Sequence, residues 1–135
     1  RIRRNHLLNV RMMYGDATEF LRFWCDDSVA DVIHLYFSDP WPKKRHHKRR
    51  VIQDDSLLTF HRVLLPKGEI RIVTDHDELW QWCLDHFDSH SAYFSQQTFG
   101  TVESADEGEL VGSNFERKYR KEERPFHATT LIRIN

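Results

Sequence analysis

Hydrophobic and polar positions come in blocks along this chain, and the period of the blocks changes from one to the next. Residues 32–37, Val-Ile-His-Leu-Tyr-Phe, form an apolar run rich in β-branched and aromatic side chains, without Gly or Pro, which predicts a buried strand of a mostly parallel sheet. Pro40 and Pro42 remove backbone donors and restrict φ, so the chain after Phe37 leaves the sheet as a stiff loop carrying Asp39 and Trp41. Upstream, residues 1–8 read as the last turns of a helix and residues 10–14 as a short strand ending at Gly15-Asp16. Residues 17–25 follow as a helix with Phe20, Leu21 and Trp24 on one face. Downstream, residues 51–65 carry Leu57, Leu58, Phe60, Val63 and Leu64 at helical spacing, and Pro66-Lys67-Gly68 ends that helix. Residues 69–74 are the next strand. They deliver Asp75, and Asp77-Glu78 opens another helix through Trp80, Cys83 and Phe87.

Strand-helix-strand alternation with crossovers too long for hairpins predicts an α/β domain with a parallel sheet and helices on its faces. Beyond residue 88 the pattern changes. Residues 93–99 and 128–134 read as strands of an antiparallel edge, separated by an acidic, Gly-containing loop. Neither an internal repeat nor a linker divides the 135 residues, which form a single domain, 1–135.

Total charge adds little, because 20 Lys and Arg are balanced by 21 Asp and Glu. Its distribution adds more. Positions 43–50, Lys43, Lys44, Arg45, His46, His47, Lys48, Arg49 and Arg50, are all cationic or histidine, a landing site for a phosphate backbone directly after Asp39. At the start of the following helix these charges would oppose the macrodipole, a cost that phosphate contacts would explain. The alternative is a solvated, merely polar helix start. Trp41 serves either as packing over the sheet edge or as a stacking platform.

Asp16, Asp39 and Asp75 each end a predicted strand, where ligands bind in open α/β sheets. Each is also an ordinary N-cap or turn former. Convergence of all three on one crevice would favour function. Neither Asp75-His76-Asp77 nor His46-His47 has the spacing of a strong metal site, and no Ser or Cys sits in a Gly-flanked nucleophile turn. Cys25 and Cys83 show no C-x-x-C spacing, which suits a reducing, cytoplasmic setting, and no apolar run reaches the length of a membrane span.

The run Tyr36-Phe37-Ser38-Asp39-Pro40-Trp41-Pro42-Lys43-Lys44-Arg45-His46-His47-Lys48-Arg49-Arg50 closely resembles the signature of the bacterial tRNA (guanine-N7-)-methyltransferase family. Gly15-Asp16-Ala17, Thr74-Asp75, Ser113-Asn114-Phe115-Glu116 and Lys118-Tyr119 match the same family in order and spacing. The resemblance implies a class I, Rossmann-like methyltransferase fold that uses S-adenosylmethionine to methylate guanosine 46 in the variable loop of tRNA. It implies that Asp16 and Asp39 contact the cofactor, with Asp39 catalytic. It further implies that Lys43, Asp75, Ser113, Asn114, Phe115 and Glu116 contact the substrate, and that residues 45–50 contact RNA. Ser113 stands where the family usually has Thr, which keeps the hydroxyl. The family's Gly-rich cofactor turn has no counterpart here, so the chain is expected to be the C-terminal part of such an enzyme, N-terminally truncated and inactive alone. Expected partners are tRNA, neither metal nor membrane, and a monomeric or homodimeric state. Two other readings stand beside it: a non-catalytic RNA-binding module, and a metal-dependent nuclease using Asp39, Asp75 and Asp77.

Overall fold

In the computed structural model, which describes residues 7–103 and 105–135, four strands build one sheet. In chain order the elements are helix α1 (Ala17–Trp24), strand β1 (Ala30–Tyr36), a 3-10 segment (Lys44–Arg49) and helix α2 (Asp54–Val63). Strand β2 (Leu64–Thr74), helix α3 (Asp77–Ser89), strand β3 (Phe94–Gln97), helix α4 (Asn114–Lys121) and strand β4 (His127–Arg133) follow. The strand order is β1-β2-β4-β3. β1 and β2 run parallel, as the alternation predicts, and β4 is antiparallel to both its neighbours. β4 is inserted between β2 and β3, so β1 and β3 form the two edges of the described sheet. The buried strand expected over residues 32–37 is corrected: β1 has a described neighbour on one side only, none of its residues is fully buried, and Val32 and His34 are exposed.

Side-chain alternation along β2 sends Ile70 and Ile72 into one apolar cluster with Leu57 and Phe60 of α2, Leu79, Cys83 and Phe87 of α3, and Leu131 of β4. Leu57, Phe60 and Ile70 are essentially inaccessible to solvent. Full burial of such side chains is worth roughly 1.5–3 kcal/mol each, so this layer anchors the sheet whose strand ends carry the site. Burial also pushes the Cys83 thiol up to about 12 and leaves it protonated.

Three further expectations are corrected. Residues 10–14 form no strand: no described strand lies beside them, and Met12, Met13 and Tyr14 are exposed. A strand needs a neighbour for its backbone groups, whatever its pattern. The helix expected over residues 51–65 is shorter, because its last turn is taken by β2, which begins at Leu64 and detours through Lys67 at φ 67° before pairing Glu69 with Val32. The basic run does not open that helix. It forms its own 3-10 segment, and α2 starts afterwards with Asp54 and Asp55 in its first turn, favourable to the macrodipole. The helix turn expected at residues 1–8 lies outside the described residues up to position 6.

Candidate active site

β1 pairs with β2 to its end, and the amide of Phe37 still donates to the Val73 carbonyl at 2.8 Å. The chain then turns sharply. Phe37 has φ 55° and Trp41 φ 42°, two bulky aromatic residues in the left-handed region on either side of Asp39. A non-glycine residue there costs about 1–2 kcal/mol and persists only where its surroundings hold it.

Both are held. The Phe37 ring packs edge-on against Tyr119 (5.5 Å between centroids) and Phe126 (5.9 Å), from α4 and the approach to β4. On the other side, the Arg50 guanidinium donates to the Pro40 carbonyl (2.8 Å) and to Glu78 Oε1 (2.8 Å), and lies 5.0 Å from the centre of the Trp82 ring. Trp41 itself sits under Arg49 (5.0 Å) and meets His46 edge-on. Asp39 is thus the exposed apex of a loop clamped at both ends, and it has no hydrogen-bond or ion-pair partner among the described residues.

The basic segment divides by side-chain direction. Lys43, Lys44, Arg45, Lys48 and Arg49 are exposed. Arg50, expected among the RNA contacts, has a side chain that is 1% exposed and engaged by the Pro40 carbonyl and Glu78. His47 is largely withdrawn, facing Trp82 and Glu78, the latter at 3.3 Å. The Arg50 hydrogen bond holds the Glu78 carboxyl below its ordinary value.

Asp75 lies at the end of the neighbouring strand, where Arg124 Nη1 donates to its Oδ2 at 2.7 Å. Asp16 is the N-cap of α1, its Oδ1 accepting from the amides of Thr18 and Glu19 and from the Thr18 hydroxyl, and these bonds lower its pKa. It lines a cleft of about 1100 Å³ with Trp41, Lys48, Arg49 and Arg22, and neither Asp39 nor Asp75 lines that cleft. Of the three aspartates, Asp16 alone lines this cleft. Asp39 and Asp75 end adjacent strands, whereas Asp16 stands at the helix α1 start.

Ser113 caps α4, its hydroxyl accepting from the Glu116 amide at 3.1 Å. Asn114 and Phe115 point outward and are exposed. Glu116 is fully buried: burial pushes its carboxyl up, but the amides of Leu110, Val111 and Gly112 and the Arg120 guanidinium prevail and hold it below the usual range. It ties the loop 110–112 to the helix. A Ser-x-x-Glu spacing is the sequence signal of a capped helix start, and here it marks a structural knot between the helix and the loop before it.

Arg124 is the residue that pattern reading missed. Asp77, the third carboxylate of the nuclease reading, is engaged by His127 Nε2 at 2.6 Å, and no group of three or more His, Cys, Asp or Glu among the described residues is arranged to hold a metal ion. No helix among the described residues is long and apolar enough to cross a membrane.

A family model described as a putative methyltransferase matches residues 1–129. Among curated proteins, the tRNA (guanine-N(7)-)-methyltransferase of Agrobacterium fabrum is 35% identical over 132 residues, which are 98% of this chain and 56% of that protein. The protein of that name from Streptococcus mutans is 34% identical over 115 residues, 85% of this chain and 54% of its own length. The chain spans about half the length of these relatives. Among solved structures, a SAM dependent methyltransferase from Archaeoglobus fulgidus superposes with a TM-score of 0.49 at 11% identity, covering 92% of this chain and 68% of that one.

Proposed function

Because the chain belongs to this methyltransferase family, whose similar curated members are named tRNA (guanine-N7-)-methyltransferases, we propose that it forms the substrate-facing part of an enzyme that methylates N7 of guanosine 46 in the tRNA variable loop. S-adenosylmethionine is the donor in this reading and, when bound, supplies an electrophilic methyl group on a sulfonium. The chemistry of the carboxylates fits such a group. Asp39 is exposed and unpaired among the described residues, and Asp16 keeps its Oδ2 free beside a cleft of adenosine-accommodating volume.

Guanine N7 carries a lone pair and no proton, so no general base is needed, and alignment and electrostatics dominate the barrier. Asp39 places negative charge beside the site of transfer. As N7 becomes bonded to carbon, positive charge spreads over the purine and N1–H becomes more acidic. Asp75, at the end of the adjacent strand, accepts from N1–H and the exocyclic amine, which selects guanine and stabilises that charge. Glu116, whose oxygens already take amide and guanidinium hydrogens, acts by shaping the loop that carries Ser113, Asn114 and Phe115. Lys43, Lys44, Arg45, His46, Lys48 and Arg49 contact the tRNA backbone, and Arg50 and His47 support the loop from within.

The observation that carries this reading is the pair of left-handed aromatic residues flanking a free Asp39, since backbone strain of this kind is retained where a geometry is functional. The test is incubation of the full-length protein with S-adenosylmethionine and unmodified tRNA, followed by chain cleavage at 7-methylguanosine. Cleavage at position 46 that Asp39→Asn abolishes without loss of tRNA affinity is the expected result. Binding without methylation by the unsubstituted protein would leave an RNA-binding module instead.

A further inference from the structure

We propose that Arg124 is a second base-specificity residue, reading guanine O6 beside the N1–H contact of Asp75. The inference rests on the methyltransferase reading above and adds to it a residue that lies outside every motif singled out in the sequence.

The geometry begins with the ion pair. Arg124 Nη1 donates to Asp75 Oδ2 at 2.7 Å, which leaves Oδ1 of Asp75 free to accept and leaves a second hydrogen on Nη1. Nη2 is held by Glu122 Oε2 at 2.6 Å, and the guanidinium carbon lies 4.1 Å from the centre of the Tyr119 ring. Two carboxylates and an aromatic face fix the plane of the group. Tyr119 is also the ring against which Phe37 packs, so the same side chain supports Arg124 and the turn leading into Asp39. The Arg124 side chain is 41% exposed and that of Asp75 16%, which places the pair at the mouth of the strand ends rather than beneath it.

Side by side, the pair offers a donor and an acceptor. Guanine presents O6, an acceptor, next to N1–H and N2–H, both donors, and so meets the pair with every group matched. Adenine presents an amine donor to the guanidinium and a bare N1 lone pair to the carboxylate. Both contacts are then repulsive. Asp75 alone distinguishes the bases by N1–H; with Arg124 the discrimination extends to position 6, and a site built to hydrogen-bond a group rejects analogues lacking it.

The test uses the full-length protein and tRNAs carrying guanosine, 6-thioguanosine or inosine at the methylated position. Sulfur at position 6 is a poor acceptor but leaves N1–H and N2–H in place, whereas inosine keeps O6 and N1–H and loses only the amine. For the unsubstituted protein, 6-thioguanosine should lower kcat/KM roughly tenfold or more, the worth of a hydrogen bond to a charged donor. In Arg124→Ala that penalty should vanish while the inosine penalty persists. Arg124→Gln, which retains an amide donor and less disturbs the fold, should keep part of the 6-thioguanosine penalty. An unchanged 6-thioguanosine penalty in both variants overturns the assignment and leaves Arg124 as a brace for Asp75. Failure of the unsubstituted protein to methylate the guanosine tRNA overturns the methyltransferase reading itself, a separate and recognisable outcome.

Discussion

Arg49 and Arg50 are adjacent and identical in type, yet one side chain is exposed and the other buried, and substituting each in turn tests whether their roles divide in the same way. Arg50→Ala removes a guanidinium with 1% side-chain exposure that bonds the Pro40 carbonyl and Glu78 and lies against Trp82. A part-buried hydrogen bond from a charged group, such as that to the Pro40 carbonyl, is worth roughly 1.5–3 kcal/mol, whereas Glu78 is exposed and regains water when released, so its bond adds little. Lost packing of the side-chain stem and of the cation over Trp82 adds roughly 1–2 kcal/mol, and relief from burying a charge offsets part of this. The net cost is about 3 kcal/mol. At roughly 3–6 °C per kcal/mol for a chain of this size, the Tm should fall by about 10–15 °C. Arg49→Ala removes an exposed cation whose one described contact is the face of Trp41, so its stability should change by less than about 1 kcal/mol. RNA binding should separate the two the other way. If Arg49 meets a phosphate, the slope of log affinity against log salt falls by about 0.7–0.9 on its loss, whereas refolded Arg50→Ala keeps the wild-type slope at temperatures below its own transition. Thermal unfolding followed by circular dichroism, and tRNA titrations at four salt concentrations, measure both quantities. An Arg50→Ala protein as stable as wild type with a shallower salt slope would refute the division.

Glu116→Gln should destabilise by roughly 2–4 kcal/mol, because the new amide turns a donor toward backbone N–H groups that now face an anion. The pH dependence has a definite sign. The folded carboxyl is held below its unfolded value, so its contribution is complete above the ordinary glutamate range and is lost as pH falls through the folded value; urea unfolding of the two proteins at pH 7 and pH 3 should show the gap between them narrowing in acid. Gly68→Ala should cost roughly 1–3 kcal/mol in the same unfolding assay, since a Cβ there meets the carbonyl oxygens of Leu65 at 2.8 Å, Asp31 at 3.0 Å and Ala30 at 3.2 Å, all backbone and unable to step aside.

What was legible in the sequence follows the range of the interactions. β1 and its end at Phe37 could be read because an apolar run and two prolines act within a few residues, and α3 because its acids and apolar stripe do the same. The strand expected over residues 10–14 was not realised because a strand depends on a partner that no local pattern contains. The division of the basic segment was invisible for a related reason. Nothing near Arg50 distinguishes it from Arg49; its partner Glu78 is 28 positions away, and Trp82 is contributed by the same distant helix. Arg124 meets Asp75 across 49 positions, a separation over which no local pattern links the two. The spacing of Ser113 and Glu116 has a local meaning as a helix start as well as a family meaning, and the buried Glu116 carboxylate serves the local one.

These long-range partners explain why the strain at residues 37–42 can persist. A loop with two aromatic residues in the left-handed region carries about 2–4 kcal/mol of conformational cost that local contacts cannot offset, since the prolines only restrict the path and the exposed Asp39 adds nothing. One side of the loop is held by the α4–β4 joint through Tyr119 and Phe126, the other by α3 through Glu78 and Trp82. Each anchor comes from a different element packed on or paired with β2 and its neighbours. The position of Asp39 is therefore set by the whole sheet rather than by the motif in which it is written. The same anchors reach the other side chains of the site: Tyr119 underlies Arg124, which holds Asp75, and Arg50 terminates the basic segment that presents Lys48 and Arg49. A substitution in either anchor should thus move the acidic apex and leave the salt dependence of RNA binding unchanged, whereas a substitution at an exposed cation should weaken RNA contact alone.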